Sequence, residues 1–317
     1  MGYSRVAVIG ASGFIGRYVV QRLAAKGAVI AAIMRDIEAG RFLQPMGDVG
    51  QIARIRASLL DEARLAQALA GAEAVVNLAG ILYERGAQRF VAVHHEGPAR
   101  LGRLAKTAGV KHLVHISALA ADAASPSAYA RSKAAGEAAL RDAFPEAVIL
   151  RPSVVFGPED DFFNRFAALA QVAPALPLIG GGRTRFQPVY VGDVADAVVR
   201  ALDDPKAAGR TYELGGPAIY TFRELMKLLL NELGRRRLLV NLPWSLAKFE
   251  AAFLEWLPTP PLTRDQVSLL TRDSVVSEGA LTLKDLGITP TPVESILPSY
   301  MDRYRRGGRF GNRRTAA

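Results

Sequence analysis

The chain contains no cysteine. That absence excludes disulfides, thiolate zinc centres and cysteine-ligated iron–sulfur clusters, so any electron transfer would have to run through an organic cofactor. Histidine is also scarce. Only four are present, with no HExxH or similar pair, so no metal centre is expected. No apolar run reaches the roughly 18 residues a transmembrane helix needs. The first strand-like segment starts within a few residues of Met1, so no secretory signal is expected ahead of the fold. Acidic residues are outnumbered: 40 Lys and Arg face 30 Asp and Glu, a formal charge of +10. Such a balance draws a protein toward anionic surfaces. Part of the excess is local, because Arg303, Arg305, Arg306, Arg309, Arg313 and Arg314 follow Met301 against Asp302 alone. This glycine-interleaved stretch reads as a flexible basic tail.

Hydrophobic residues make up 50% of the chain, enough for a sizeable core. The segment that organises it is RVAVIGASGFIG, Arg5 to Gly16. Val6 to Ile9 predict a short buried strand. Gly10, Gly13 and Gly16 follow, and then a helical pattern that closes at Gly27. A strand, a glycine turn and a helix in that order make a phosphate-binding device. Gly10 permits the sharp turn, Gly13 lets backbone approach a pyrophosphate, and Gly16 allows close helix–strand packing. The helix N-terminus then offers N–H groups to the anion. Ser12, Phe14 and Ile15 belong to the same corner.

AVIAAIMRD predicts a second strand, after which Arg35 precedes Asp36. An acid at this point favours the ribose hydroxyls of NAD, whereas an arginine accommodates the 2′-phosphate of NADP. The order here favours NADP(H) over NAD(H). Gln51 to Ala57 predicts a third strand. AEAVVNLAG predicts a fourth, whose C-terminal end sets Asn77, Leu78, Ala79 and Gly80 beside the glycine corner. A single long helix is expected from about Phe90 to Ala108, carrying His94 and His95.

VKHLVHIS predicts a fifth strand that delivers Ser117 at its end. Twelve residues on, an amphipathic helix carries Tyr129 and Lys133, whose i, i+4 spacing puts them on one face. An ammonium near a phenol favours phenolate, so Tyr129 would act as acid or base, with Ser117 orienting a carbonyl or hydroxyl. A sixth strand ends at Arg151, Pro152 and Ser153. Further on, LPWSLAKFEAAFLEWLPTPPL holds Trp244, Phe249, Phe253 and Trp256 on a helical stretch with prolines behind it. It reads either as core packing of a C-terminal lobe or as a docking helix for an anionic membrane surface or a partner.

Together the glycine corner, NLAG, Ser117, Tyr129, Lys133 and RPSVVFGP resemble the short-chain dehydrogenase/reductase superfamily in its extended or atypical branch. More narrowly, FLQPMGDVGQ, YARSKAAGE, RDAFPEAVILRPSVVFGPEDDFFNRFA and QPVYVGDVADAV are similar to the NAD(P)H-binding accessory subunits of respiratory complex I, in a bacterial form. The resemblance implies a doubly wound, parallel-sheet Rossmann fold with a smaller C-terminal lobe. It implies bound NADPH, complex I hydrophilic-arm subunits as partners, and a cytoplasmic location peripheral to the inner membrane; no recognised nucleic-acid motif is present, so no nucleic-acid partner is expected despite the basic charge. For the cofactor it implies contacts from Leu60 and Asp61 on the adenine side, from Tyr129 and Lys133 at a ribose, and from Pro152, Ser153 and Val154. The position usually acidic after the third strand is Ser58 here, and the asparagine of the central helix in active relatives is replaced by His94 or His95.

These readings divide the chain into a dinucleotide-binding domain over 1–155, rejoined by 184–205. A smaller lobe follows over 156–183 and 206–295, with the basic tail over 296–317. Three functions fit: an accessory subunit holding its cofactor structurally, a working NADP-dependent oxidoreductase or epimerase on a small or isoprenoid-like substrate, and a redox-sensing regulator.

Overall fold

The protein is described from a computed structural model that covers residues 3–305 and Gly308. These residues form two compact units. The first takes the chain up to Pro152, together with Val191–Leu214 and Ser277–Thr289. The second takes Ser153–Tyr190, Gly215–Val276 and the described residues from Pro290 onward.

In the first unit, β1 (Arg5–Ile9), β2 (Val29–Met34), β3 (Ile52–Arg56), β4 (Ala74–Asn77), β5 (His112–Ile116) and β6 (Val148–Pro152) alternate with helices. They form an all-parallel sheet in the order β3-β2-β1-β4-β5-β6, extended by a seventh strand, Thr211–Leu214, beside β6. A parallel sheet is covered on both faces, which is why its central strands read as unbroken apolar runs: Val6, Ala7, Val8, Ala74, Val75 and Val76 are all fully buried. One face packs Ala7, Ile9, Val75 and Leu113 against Leu65 and Leu69 of α2 (Glu62–Leu69), Leu101 of α3 (Gly97–Thr107) and Leu140 of α4 (Ala128–Ala143). Elsewhere, α1 (Phe14–Ala25) lies beside helix Val191–Asp203, tied to it by Arg22–Asp196 at 3.0 Å and by Lys26–Asp203. The strand order reverses between β1 and β4, the point at which folds of this type hold a ligand beyond the strand ends.

Two local features differ from the sequence reading, each for a physical reason. Residues 153–155 and 184–190, expected in the first domain, belong with the second unit, where Val155–Phe156 pairs with Val189–Tyr190 and Arg185–Phe186 with Tyr220–Thr221; residues 206–214 belong with the first unit, because Thr211–Leu214 pairs in register with Ile149–Pro152. Residues 277–289 join them through a bridge from Leu281 to Tyr212. The helix expected over Phe90–Ala108 is not one α-helix. Val91–Glu96 forms a π-turn, and α3 starts only at Gly97. Pro98 has no N–H to give the His94 carbonyl four residues back, so the α register cannot run through. The carbonyl turns instead toward α4, where any Cβ on Gly136 would fall on it.

The second unit has its own aromatic core. Phe156, Phe163, Phe222 and Met226 are buried together with Leu297 and Met301. Asp160, nearly fully buried, accepts hydrogen bonds from the backbone N–H groups of Gly157, Phe163 and Asn164 and from the Tyr300 hydroxyl at 2.7 Å. Helix Trp244–Leu254 packs its small residues Ala247 and Ala251 inward and leaves Phe249 and Phe253 exposed. Trp256, just beyond it, is 90% exposed. Of the expected flexible tail over 296–317, the part up to Tyr304 is helical, with Val293–Met301 an α-helix and Asp302–Tyr304 a 3-10 turn, and Arg305 beyond it pairs with Glu232 and Asp302. Arg306, Arg309, Arg313 and Arg314 lie outside the described residues.

Candidate functional site

The site sits where the sheet order reverses in the first unit. Ile9 ends β1, and Gly10 takes a φ of +82°, a conformation that side chains resist. Its N–H donates to Ile33 O at 3.0 Å, which pins the turn to the end of β2. Gly13 stands at the N-cap of α1. No side chain caps this helix, and no acid occupies its first turn, so its end keeps its partial positive charge for an anion. Gly16 is held for space: a Cβ there would lie 2.6 Å from the Ala11 carbonyl oxygen. Ser12, Phe14 and Ile15 are half-buried around this corner.

Beyond β2, Arg35 is exposed, while the Asp36 carboxylate accepts the N–H groups of Glu38 and Ala39. The acid is thus engaged in the turn, and the arginine faces outward. A second arginine, Arg17 in the first turns of α1, lies over the Phe42 ring at 4.5 Å. The sequence reading missed Arg17; its place directly after Gly16 was the available signal. Leu60 is half-buried, and Asp61 caps α2 by accepting the Arg64 N–H at 3.1 Å.

The β4 and β5 ends carry a buried polar cluster. Asn77 Oδ1 accepts the Ala79 N–H at 3.1 Å, and its Nδ2 donates to His115 Nδ1 at 3.0 Å. These bonds shape Leu78, Ala79 and Gly80 and leave His115 protonated at Nε2. Ser117 and His115 are both buried, and neither Ser117 Oγ nor His115 Nε2 has a hydrogen-bond partner. On α4, capped by Ser127, Tyr129 is half-buried, and Lys133 is buried with Nζ donating to Ile116 O at 3.2 Å. The structure thus brings Ser117, Tyr129, Lys133 and Gly80 to one end of the sheet. It places Pro152 at the end of β6. Ser153 and Val154 belong to the second unit, where the Ser153 hydroxyl donates to Ser274 O at 2.7 Å and Val154 packs against the aromatic core.

Of the two histidines expected in the central helix, His94 is the buried one, at 1% exposure. Its Nε2 accepts the Ile81 N–H at 2.9 Å, and its Nδ1 lies 3.0 Å from Ser132 Oγ. Nε2 therefore carries no proton and Nδ1 donates, while Ser132 in turn donates to Tyr129 O at 2.7 Å. Neither Ile81 nor Ser132 was singled out from sequence, since no spacing signal links them to a histidine on another element.

Burial sets the charge states. Lys133 is brought down to about 8 by desolvation, partly countered by Glu137. His94 is lowered to about 3 by burial and by Lys133. His115 lies well below the usual imidazole range through burial, Lys133 and His94. Both rings are thus neutral in the folded state and protonate more readily in the unfolded chain. Their cost is absent above about pH 6.5 and grows as pH falls below it. The expected result is a loss of about 2 kcal/mol per histidine between pH 7.5 and 5. Denaturant unfolding at the two pH values should show that loss reduced by about 2 kcal/mol in His115→Gln. An unchanged difference would mean that this ring is not buried neutral.

A parallel sheet reversing beside an uncapped glycine corner defines a doubly wound dinucleotide-binding protein. The chain belongs to the NAD dependent epimerase/dehydratase family, whose model matches residues 6–215. It is 39% identical over 318 residues to the mitochondrial NADH dehydrogenase [ubiquinone] 1 alpha subcomplex subunit 9 of Arabidopsis thaliana, covering 96% of this chain and 79% of that one. It is 31% identical over 245 residues to the ceramide reductase of Caulobacter vibrioides, covering 75% of this chain and 73% of the other. Among solved structures, the dTDP-glucose 4,6-dehydratase of Streptomyces venezuelae superposes with a TM-score of 0.72 at 23% identity, over 95% of this chain and 96% of the other. That likeness shows the shared fold. No described helix is long and apolar enough to cross a membrane.

Proposed function

We propose that the protein is an NADP(H)-holding accessory subunit of the respiratory NADH:ubiquinone oxidoreductase, in a bacterial form, placed on the inner face of the membrane. The observation that carries this reading is the 39% identity over 96% of the chain to a subunit of that enzyme. The residues present fit the cofactor: an uncapped α1 terminus without an acid, a corner that a Cβ at Gly16 would fill, and a buried Ser117 Oγ without a protein partner. Gly10, Ser12, Gly13, Phe14, Ile15 and Gly16 would hold the diphosphate. Arg35, aided by Arg17, would read the 2′-phosphate, and Leu60 and Asp61 would border the adenine. Leu78, Ala79 and Gly80 would line the middle of the site, with Tyr129 and Lys133 at the second ribose and Pro152 beyond them. When bound, the nicotinamide could give or take a hydride. The exposed Phe249, Phe253 and Trp256 suit docking against the apolar surface of an assembly.

The test is to isolate the oxidoreductase from native membranes and look for this chain and its nucleotide by mass spectrometry. Enzyme that is fully assembled yet free of this chain would refute the assignment. For cofactor choice, Arg35→Ser is expected to weaken NADPH binding about tenfold while leaving NADH within about twofold. Equal losses for both nucleotides would remove Arg35 from the phosphate site.

A second reading is favoured by one observation, the 31% identity to a reductase. In that reading Ser117 orients a carbonyl, Tyr129 supplies its proton, and Lys133 tunes the phenol. Tyr129→Phe should then bind NADPH normally but lose its oxidation by carbonyl substrates, tested over a broad panel that includes ceramide-type compounds. An absence of turnover in the unaltered protein with such substrates would end this reading.

A further inference from the structure

The geometry points to His94 as a positioning residue that clamps the β4 loop to α4 and so shapes the nicotinamide half of the site, a role resting on the nucleotide reading above. His94 is 1% exposed and joins three segments. Its Nε2 accepts the N–H of Ile81, in the loop directly after Gly80. Its Nδ1–H meets Ser132 Oγ, whose own O–H donates a hydrogen bond to the carbonyl of Tyr129 on α4. The ring stacks on Phe90 at 5.4 Å and meets Tyr129 edge-on at 5.3 Å. The π-turn brings the imidazole there: its carbonyl seats against Gly136, one α-turn beyond Ser132. A Cβ on Gly80 would lie 3.5 Å from Lys133 Nζ and 3.7 Å from His94 Nε2, so loop, lysine and histidine converge.

The chain of bonds also has a direction. It starts at a backbone N–H and ends at a backbone carbonyl, and every hydrogen in it is already committed. Neither end can load or release a proton, so the chain cannot serve as a relay to solvent. Its work is mechanical: it fixes the distance between the loop that borders the cofactor and the helix that carries Tyr129 and Lys133. Because the strand order sets β2 on one side of β1 and β4 and β5 on the other, the clamp touches only the half of a dinucleotide that lies away from Arg35.

The experiment measures affinity for two probes, NADPH and adenosine 2′,5′-bisphosphate, in the full chain and its variants. Loss of an organising hydrogen-bond pair in His94→Ala should weaken NADPH about tenfold and leave the bisphosphate within about twofold. His94→Gln can accept from Ile81 and donate to Ser132, so it should restore NADPH binding to within about threefold of the unaltered protein. Ser132→Ala keeps the imidazole and removes one partner. It should weaken NADPH by about threefold with the bisphosphate unchanged, and it serves if His94→Ala does not fold. Equal losses for both probes, no loss of NADPH affinity, or no rescue by glutamine would each overturn the clamp alone. Failure of the unaltered chain to bind either probe would bring down the nucleotide reading and the clamp with it.

Discussion

Arg151→Met is expected to cost the first unit about 3–5 kcal/mol, because it strands two buried carboxylates. Arg151 reaches from β6 to Glu137 on α4, with Nε at 2.9 Å and Nη2 at 2.6 Å, and to Glu213 on the neighbouring strand at 3.6 Å. The two glutamates are 6% and 9% exposed. Glu213 is further held by the Ser277 N–H at 2.7 Å. The arginine therefore ties together a helix, two strands and the returning segment 277–289. Removing it leaves the carboxylates buried without their cation, which is far costlier than losing a surface pair. The loss corresponds to a melting temperature lower by roughly 10 °C for a unit of this size. Calorimetry would measure it. Adding Glu137→Gln and Glu213→Gln to the variant should recover part of the loss, since the uncompensated charges are then gone. A single variant within about 1 kcal/mol of the unaltered protein would show the triad to be decorative.

The second large effect is expected at Gly16. In Gly16→Val the new side chain would meet the carbonyl oxygen of Gly10 and the carbonyl of Ala11, whose oxygen lies 2.6 Å and carbon 2.8 Å away. All three obstructing atoms are backbone, so no side chain can swing aside. The corner between β1 and α1 must open, at about 1–3 kcal/mol or more. On the nucleotide reading proposed above, the diphosphate cradle would open with it, and NADPH affinity should fall roughly hundredfold. Gly27→Ala is the matched control. Its φ is +82°, yet nothing lies within 4 Å of its would-be Cβ. It should cost about 1 kcal/mol and leave nucleotide binding alone. If Gly16→Val bound NADPH as tightly as this control, the glycine corner would not be the phosphate site.

Both predictions start from residues that the sequence treats very differently. Gly16 was legible at once, because a strand, three spaced glycines and a helix form a contiguous signal. Ser117, Tyr129 and Lys133 were legible for the same reason: strand end and helix face follow from periods of two and 3.6. The triad around Arg151 was not. Its members are 14 and 62 residues away from the arginine, and only the pairing of Thr211–Leu214 with β6 brings Glu213 alongside. The domain limits drawn from sequence went astray at the same place. TYELGG looks like any short strand, and nothing local tells which sheet it will join.

The outward aromatic face of Trp244–Leu254 is a mixed case. The spacing of Phe249 and Phe253 marks one helix face, but a buried face and an exposed one share the same period. Burial of Ala247 and Ala251 decided the orientation. The histidines show the same limit. A sequence with His94 and His95 in a helical run offers two candidates and no choice between them. The π-turn imposed by Pro98 and Gly136 made the choice, burying His94 and leaving His95 only partly covered.

By itself, then, the sequence determined a parallel doubly wound sheet, a glycine corner at its first turn, and a serine, tyrosine and lysine delivered to one end. Each of these depends on residues close together in the chain, where steric and periodic rules act. The tertiary structure alone decided which histidine is clamped, which arginine is spent on buried carboxylates and which faces outward, and where the seventh strand belongs. Those outcomes depend on groups far apart in the chain meeting in a low-dielectric interior, where burial rather than spacing sets the charge and the partner.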